Sequence, residues 1–348
     1  MGLYTLEMEI NVFTLVDVFS IATAVMLGVL FLTVKSENRR ANIFISLFLI
    51  CLSCEVLSVL MESITENEIR LVQSSLFTMP FLLLYSKQTI NSPIRYYYYL
   101  LFLPGIIFNI IGETIILVEY CFNIFILLYI NNFLKKHKQR VENYYSNLEL
   151  LSLKWMRVIV FIFLGFHALW IIEDLIVIQL HWLDPYFAGL SSFLTLFMIF
   201  WIGHNGFSQP EIFKKKLFAN NMRKNVVSDE SKGEDKDYEH WIKLNDLIQT
   251  ERLFTDPKLN LGLLSEYVGL NEKEVSRLIN KEGHCNFYQL INRYRVGEFK
   301  RLLLSNKAKK LSFVGLAEES GFNSKSTFYS AFKALEGQTP KQYYESLR

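Results

Sequence analysis

Cysteine is scarce in this 348-residue chain: Cys51, Cys54, Cys121 and Cys285 are too few and too scattered for a disulfide framework. Cys51 and Cys54 have the spacing of a redox or zinc motif. They stand inside an apolar run without a second ligand pair, which favours plain helix filler. Lys and Arg are missing ahead of the first apolar run, where Glu7 and Glu9 carry the charge. That is the opposite of a signal-peptide start, so no cleavable leader is expected. No metal-ligand cluster, nucleophile elbow, phosphate loop or inverted repeat is legible. The sequence therefore gives an enzyme no support, and neither a metal nor a cofactor is expected.

Apolar residues are what the chain has in excess, at 51% hydrophobic and 15% aromatic. They crowd into roughly the first 205 positions, while Lys, Glu, Asp and Asn dominate the remainder of the chain. A soluble two-domain chain spreads its apolar residues through both halves, so the asymmetry predicts a membrane part and a soluble part. Runs of spanning length lie near Val12–Val34, Ala41–Met61, Leu71–Tyr85, Tyr96–Ile111, Ile115–Leu134, Met156–Leu180 and Tyr186–His204. They predict a bundle of about seven transmembrane helices over 1–206. Pro80 and Pro104 interrupt the third and fourth, which neighbouring helices can accommodate.

Loop charge agrees with that count. Lys35, Arg39 and Arg40 follow the first run, and Lys87 and Arg95 the third. Lys135, Lys136, Lys138, Arg140, Lys154 and Arg157 follow the fifth, and Lys214, Lys215 and Lys216 the seventh. The connectors between are acidic on balance or hold no Lys or Arg. Such alternation predicts a multi-pass protein of the cytoplasmic (inner) membrane, N-terminus outside and C-terminus in the cytoplasm.

Polar groups within the runs are costly in lipid and face the bundle interior or a wet cavity. Asp17, Glu55, His167 and Glu173 are the candidates for an intramembrane pocket that takes an unknown signal ligand. The alternative is inter-helix hydrogen bonding, or a boundary position at the lipid surface for Glu173 and Asp174. His167 and Glu173 lie six positions apart, which does not place them on one helix face.

Residues 207–239 read as a juxtamembrane segment and a charge-dense, flexible linker. From Trp241 onward 17 basic and 12 acidic side chains leave a modest positive excess, of a kind that suits nucleic acid. Two stretches there repeat each other: Leu264-Ser265-Glu266-Tyr267-Val268-Gly269-Leu270-Asn271 and, 52 positions on, Leu316-Ala317-Glu318-Glu319-Ser320-Gly321-Phe322-Asn323. Each has a short helix, a glycine suited to the turn, an apolar residue and an Asn. Asn271 and Glu274 form a capping box. After Lys325 the second copy gains a residue, so that Val275 answers Phe328 and Ile279 answers Phe332. These pairs predict the buried face of each second helix. Phe287–Leu304 reads as one helix joining two helix-turn-helix units, and the fold class is all α.

The stretch from about Trp241 to the end resembles the DNA-binding domain of the AraC/XylS family. The likeness rests on Asn286-Phe287 leading to Ile291-Asn292-Arg293-Tyr294-Arg295, on Gly321-Phe322, on Phe328 with Phe332-Lys333, and on Gly337-Gln338-Thr339-Pro340. Ser265 and Phe299 stand where the family has small apolar residues, and Tyr344 where an Arg is common.

The resemblance implies a transcription regulator whose partner is double-stranded DNA. Carried over by position, the reading surface is Lys273, Ser276 and Arg277 in the first unit, and Lys325, Ser326, Thr327, Tyr329 and Ser330 in the second. Arg277 is the strongest candidate for a guanine contact. A solvated helix face is the alternative for each, and also for Lys307, Lys309 and Lys310. With the lipid bilayer and a signal ligand or partner protein as further partners, and a homodimer as a possible assembly, the expectation is a membrane-bound one-component regulator. A transporter or receptor with an appended regulatory module is the alternative.

Overall fold

The computed structural model describes residues 12–36, 38–65, 74–112, 116–148, 151, 153–177, 184–208 and 234–347. Among these residues the fold is all helical, with an isolated bridge between Tyr145 and Asn260 as the only sheet-type pairing. The chain forms two compact units. The first comprises Met1–Lys135 and Leu153–Met222, and the second Lys136–Ser152 and Arg223–Arg348.

The first unit is built from α1 (Val12–Thr33), α2 (Arg39–Thr65), α3 (Ser75–Thr89), α4 (Leu103–Ile111), α5 (Ile116–Tyr144), α6 (Lys154–Val177) and α7 (Asp184–Ser208). A 3₁₀ turn, Tyr96–Phe102, runs directly into α4. Among the described residues, segments of five helices, α1, α2, α5, α6 and α7, are long and apolar enough to cross a membrane. At 22 residues α1 reaches about 33 Å, against a hydrocarbon core of about 30 Å. The third and fourth runs of the sequence form shorter elements. The 15 residues of α3 reach only about 22 Å. Among the described residues, length and composition thus support five spans of the seven expected, with Tyr96–Ile111 as a shorter apolar helix.

Packing explains why α3 is weak as a sequence signal. It is buried along most of its length, including Thr78, Ser86, Lys87 and Thr89. A helix enclosed by protein tolerates hydroxyls that a lipid-facing one does not. Lys87, expected in a loop, is the basic residue of the last turn of α3. Its ammonium lies 4.4 Å from the Tyr98 ring centre and 4.9 Å from that of Phe133, so aromatic faces replace part of its hydration.

Glycines let α1 and α7 approach closely. A Cβ on Gly203 would stand 2.9 Å from Leu27, and one on Gly206 would stand 2.6 Å from Phe31, so each glycine is the socket for a large α1 side chain. The outer surface of α1 displays Leu15, Val18, Phe19, Met26 and Val29. An exposed apolar stripe of that length is tolerable in contact with lipid and not with water.

The second unit contains α8 (Glu234–Thr250), α9 (Leu261–Val268), α10 (Glu272–Lys281), α11 (Phe287–Leu303), α12 (Phe313–Glu319), α13 (Lys325–Glu336) and α14 (Pro340–Ser346). α8 begins within the stretch whose composition reads as linker, because Leu244 and Ile248 give it an apolar face. Both are fully buried in the core of the first helix-turn-helix unit, with Leu264, Val275, Ile279, Phe287 and Ile291. A second core gathers Val296, Phe299, Leu316, Phe322, Phe328 and Phe332. α11 contributes to both, its first half to one and its second half to the other.

Candidate nucleic-acid interface

Each reading helix is started by a side-chain cap. The Asn271 side chain accepts from Glu274 N–H, and the Glu274 carboxylate accepts from Asn271 N–H, completing the expected box. The second reading helix, α13, is capped by Ser324, which accepts from Thr327 N–H. Asn271 and Ser324 are equivalent caps, so the extra residue of the second copy is Asn323, in the turn ahead of the helix and not after Lys325. The turns themselves use positive φ at Gly269 (75°) and Gly321 (96°), a conformation that costs a residue with a Cβ 1–2 kcal/mol, roughly. The four anchors Val275, Ile279, Phe328 and Phe332 are fully buried, as their spacing predicts.

The three departures from the family pattern have local causes. Ser265 is buried and donates its hydroxyl to Leu261 O at 2.7 Å, which satisfies it inside α9. Phe299 is the hub of the second core, with ring centres of Phe328, Phe332 and Phe313 at 4.6, 5.5 and 6.3 Å. Tyr344 stacks edge-on against Phe313 at 5.7 Å.

Of the residues expected to read DNA, Lys273, Arg277, Lys325, Ser326 and Ser330 are exposed, and Ser276 and Tyr329 are half-buried. Lys273, Ser276 and Arg277 line one shallow depression with Glu272 and Asn280. Lys325 lies 5.9 Å from the Tyr329 ring centre. Thr327 is buried beneath the first turn of α13, a place that supports the helix start and leaves little surface for a base. Lys307 is paired with Glu319, while Lys309 and Lys310 are exposed.

Two features of this surface have no local sequence signal. Arg277 forms a two-pronged ion pair with Asp237 of α8, Nη1 to Oδ2 at 2.5 Å and Nη2 to Oδ1 at 2.6 Å. Lys281 Nζ lies 3.1 Å from the same carboxylate. The Arg277 guanidinium holds the Asp237 carboxyl well below the usual carboxylate range.

The other is the segment Lys136–Ser152, the C-terminal end of α5 and the residues after it, which belongs to the second unit. The Tyr144 hydroxyl donates to Glu272, at the start of α10, at 3.1 Å. Ser146 donates to Leu259 O at 2.6 Å. Arg295 is 1% exposed and donates to Phe254 O, Asp256 O, Ser146 O and Ser146 Oγ at 2.7–3.2 Å. Burial brings its guanidinium down to about 10, so it is still charged at neutral pH.

The polar residues expected to share an intramembrane pocket have different partners. Asp17 accepts from Ser192 between α1 and α7. Glu55 accepts from Thr78 between α2 and α3. His167 is buried in α6, one ring nitrogen 2.8 Å from Phe163 O, with Tyr120 and Trp170 against its ring. The Glu173 side chain lies outside the described residues.

Residues 264–346 match the family model of the helix-turn-helix domain. Uncharacterised HTH-type transcriptional regulators of Staphylococcus aureus strains COL and MSSA476 are each 32% identical over 101 residues, which is 29% of this chain and 13% of theirs. The chain therefore spans only a small part of the length of these relatives, and the likeness is confined to its C-terminal end. No solved structure matches. Residues at the C-terminal end form a DNA-binding helix-turn-helix domain of the AraC type, the kind carried by transcription regulators.

Proposed function

We propose that the chain is a membrane-bound, one-component transcription regulator of the cytoplasmic membrane, with its DNA-binding module on the cytoplasmic side and its N-terminus outside. The observation that carries the reading is one unit with two capped reading helices, α10 and α13, joined by the single helix α11. At 17 residues α11 is about 25 Å long. A rigid connector of this size suits two helices entering successive major grooves, about 34 Å apart.

On this reading Lys273, Ser276 and Arg277 of α10, with Lys325, Ser326, Tyr329 and Ser330 of α13, meet bases and phosphates. Arg277 supplies a fork that fits guanine O6 and N7. Residues 1–206 form the spanning domain and 207–239 the connection to the module. A signal received by the bundle, from outside or from within the membrane through groups such as Asp17, Glu55, His167 and Glu173, changes DNA occupancy. The segment Lys136–Ser152 supports such coupling, because the chain that leaves the first unit at Lys135 packs by Tyr144 and Ser146 with the module. A homodimer on a repeated site is compatible with this arrangement.

Genome-wide mapping of DNA bound by the full-length chain tests the proposal. Discrete peaks upstream of genes are expected, with the protein in the membrane fraction. Arg277→Ala together with Lys325→Ala is expected to abolish those peaks. Uniform occupancy without preferred sites, or peaks indifferent to both substitutions, would overturn it.

A further inference from the structure

Arg277 has both prongs of its guanidinium engaged by the Asp237 carboxylate, and Lys281, one turn further along the same face of α10, contacts that carboxylate too. The Asp237 side chain is only 7% exposed, whereas those of Arg277 and Lys281 are 52% and 42% exposed. The anion is therefore enclosed and the cations are at the surface.

A carboxylate seated on an arginine fork has the geometry of a phosphate or a guanine edge in the same place. The two classes of partner compete for the same donors. While the pair is closed, two cations of α10 are neutralised by a group of this chain, and the fork of Arg277 is occupied. Asp237 lies in the first turn of α8. Negative charge is favoured there by the helix dipole, and the residue directly follows the charge-dense connector to the bundle.

We infer that Asp237 is an intramolecular latch on the first reading helix, occupying Arg277 and Lys281 in place of DNA until the first turn of α8 is drawn away. This rests on the assignment of Arg277 as a DNA contact. A structural ion pair that merely seats α8 on α10 makes the opposite prediction, since its loss would disorder the reading helix and weaken binding.

The test uses the full chain in lipid nanodiscs and mixed-sequence duplex DNA of about 40 base pairs, long enough for two successive major grooves. Binding is followed by anisotropy over a range of salt concentrations. Asp237→Asn, which keeps the shape and removes the charge, is expected to bind about tenfold more tightly. Its log–log salt slope should steepen by about one to two, one for each cation released to phosphate. Arg277→Ala added to Asp237→Asn should remove most of the gain.

If Asp237→Asn binds no more tightly while Arg277→Ala binds more weakly, the latch is wrong and the reader assignment stands. If Arg277→Ala has no effect in either background, the reader assignment itself fails. Hydrogen exchange on the wild-type chain gives a second reading that needs no variant to fold. DNA should speed exchange of the amides of residues 238–241, which donate to the carbonyls of the first turn of α8, and unchanged or slower exchange there would overturn the latch.

Discussion

Three charged residues of the DNA-binding unit show how environment, not residue type, decides a role. Arg277 is exposed and its partner is a carboxylate, so its pairing is exchangeable. Arg295 is buried and its partners are backbone carbonyls and a serine, so its place is structural. Glu298 is a third case, a buried carboxylate held by Arg301 at 2.7–2.8 Å and Arg252 at 2.5 Å. Arg301, and then Arg252, lowers the Glu298 pKa below the ordinary value for glutamate. A carboxylate with a depressed folded-state pKa contributes stability that is fully present above its unfolded value of about 4.3. That contribution is lost as pH falls through the folded value. Melting of the unit should therefore drop with acidification below about pH 4.5, and Glu298→Gln should be less stable at neutral pH with a flatter acid limb. Equal acid limbs for the two proteins would show that Glu298 is not a source of the pH dependence.

Elements differ in how far the sequence alone makes them legible. Both helix-turn-helix units are, because caps, turn glycines and anchors four apart are all local signals within a few residues. The place of the extra residue in the second copy is not, since Asn323 and Ser324 are both residue types that cap helices and the hydrogen bond from Thr327 N–H to Ser324 selects between them. α3 is obscured because its neighbours, not its own composition, keep it dry. The role of Phe299 is likewise tertiary: its size is odd for its place in the pattern, and the three rings around it supply the reason. Phe299→Ala should destabilise the unit by about 3–5 kcal/mol, the usual result of emptying an aromatic site in a core. Phe299→Leu should cost less than half as much. Denaturant unfolding measures both. A loss of under 1 kcal/mol, roughly, for Phe299→Ala would mean that the second core collapses onto the space, against the close packing seen here.

At the scale of the whole molecule, the least legible feature is the one that joins its parts. Charge and hydropathy predict a bundle, a linker and a module in series, and a reading of that kind sees one covalent connection. The segment Lys136–Ser152 adds two more, one at each of its ends: it belongs to the second unit although the chain does not reach α8 until Glu234. Arg295 and Ser146 are separated by 149 positions, a pairing that no local pattern signals. Within the second unit that segment meets Leu259, Arg295 and Glu272 through Ser146 and Tyr144. Glu272 is the first residue of α10, so the contact falls at the N-terminal end of that helix. Replacing both Tyr144 and Ser146 by Ala removes the hydroxyls that meet Glu272 and Leu259, and the Oγ partner of Arg295. Each buried partner left unsatisfied costs about 1–3 kcal/mol. The double variant in nanodiscs should therefore lose exchange protection at two places together, residues 141–148 and 259–263, by about tenfold or more. The second core, around Phe328, should keep its protection, because it shares no side chain with the segment. Loss of protection at 141–148 alone would reduce the segment to a passive passenger on the module. Joint loss would show that the C-terminal end of α5 and the helix α10 open as one cooperative unit.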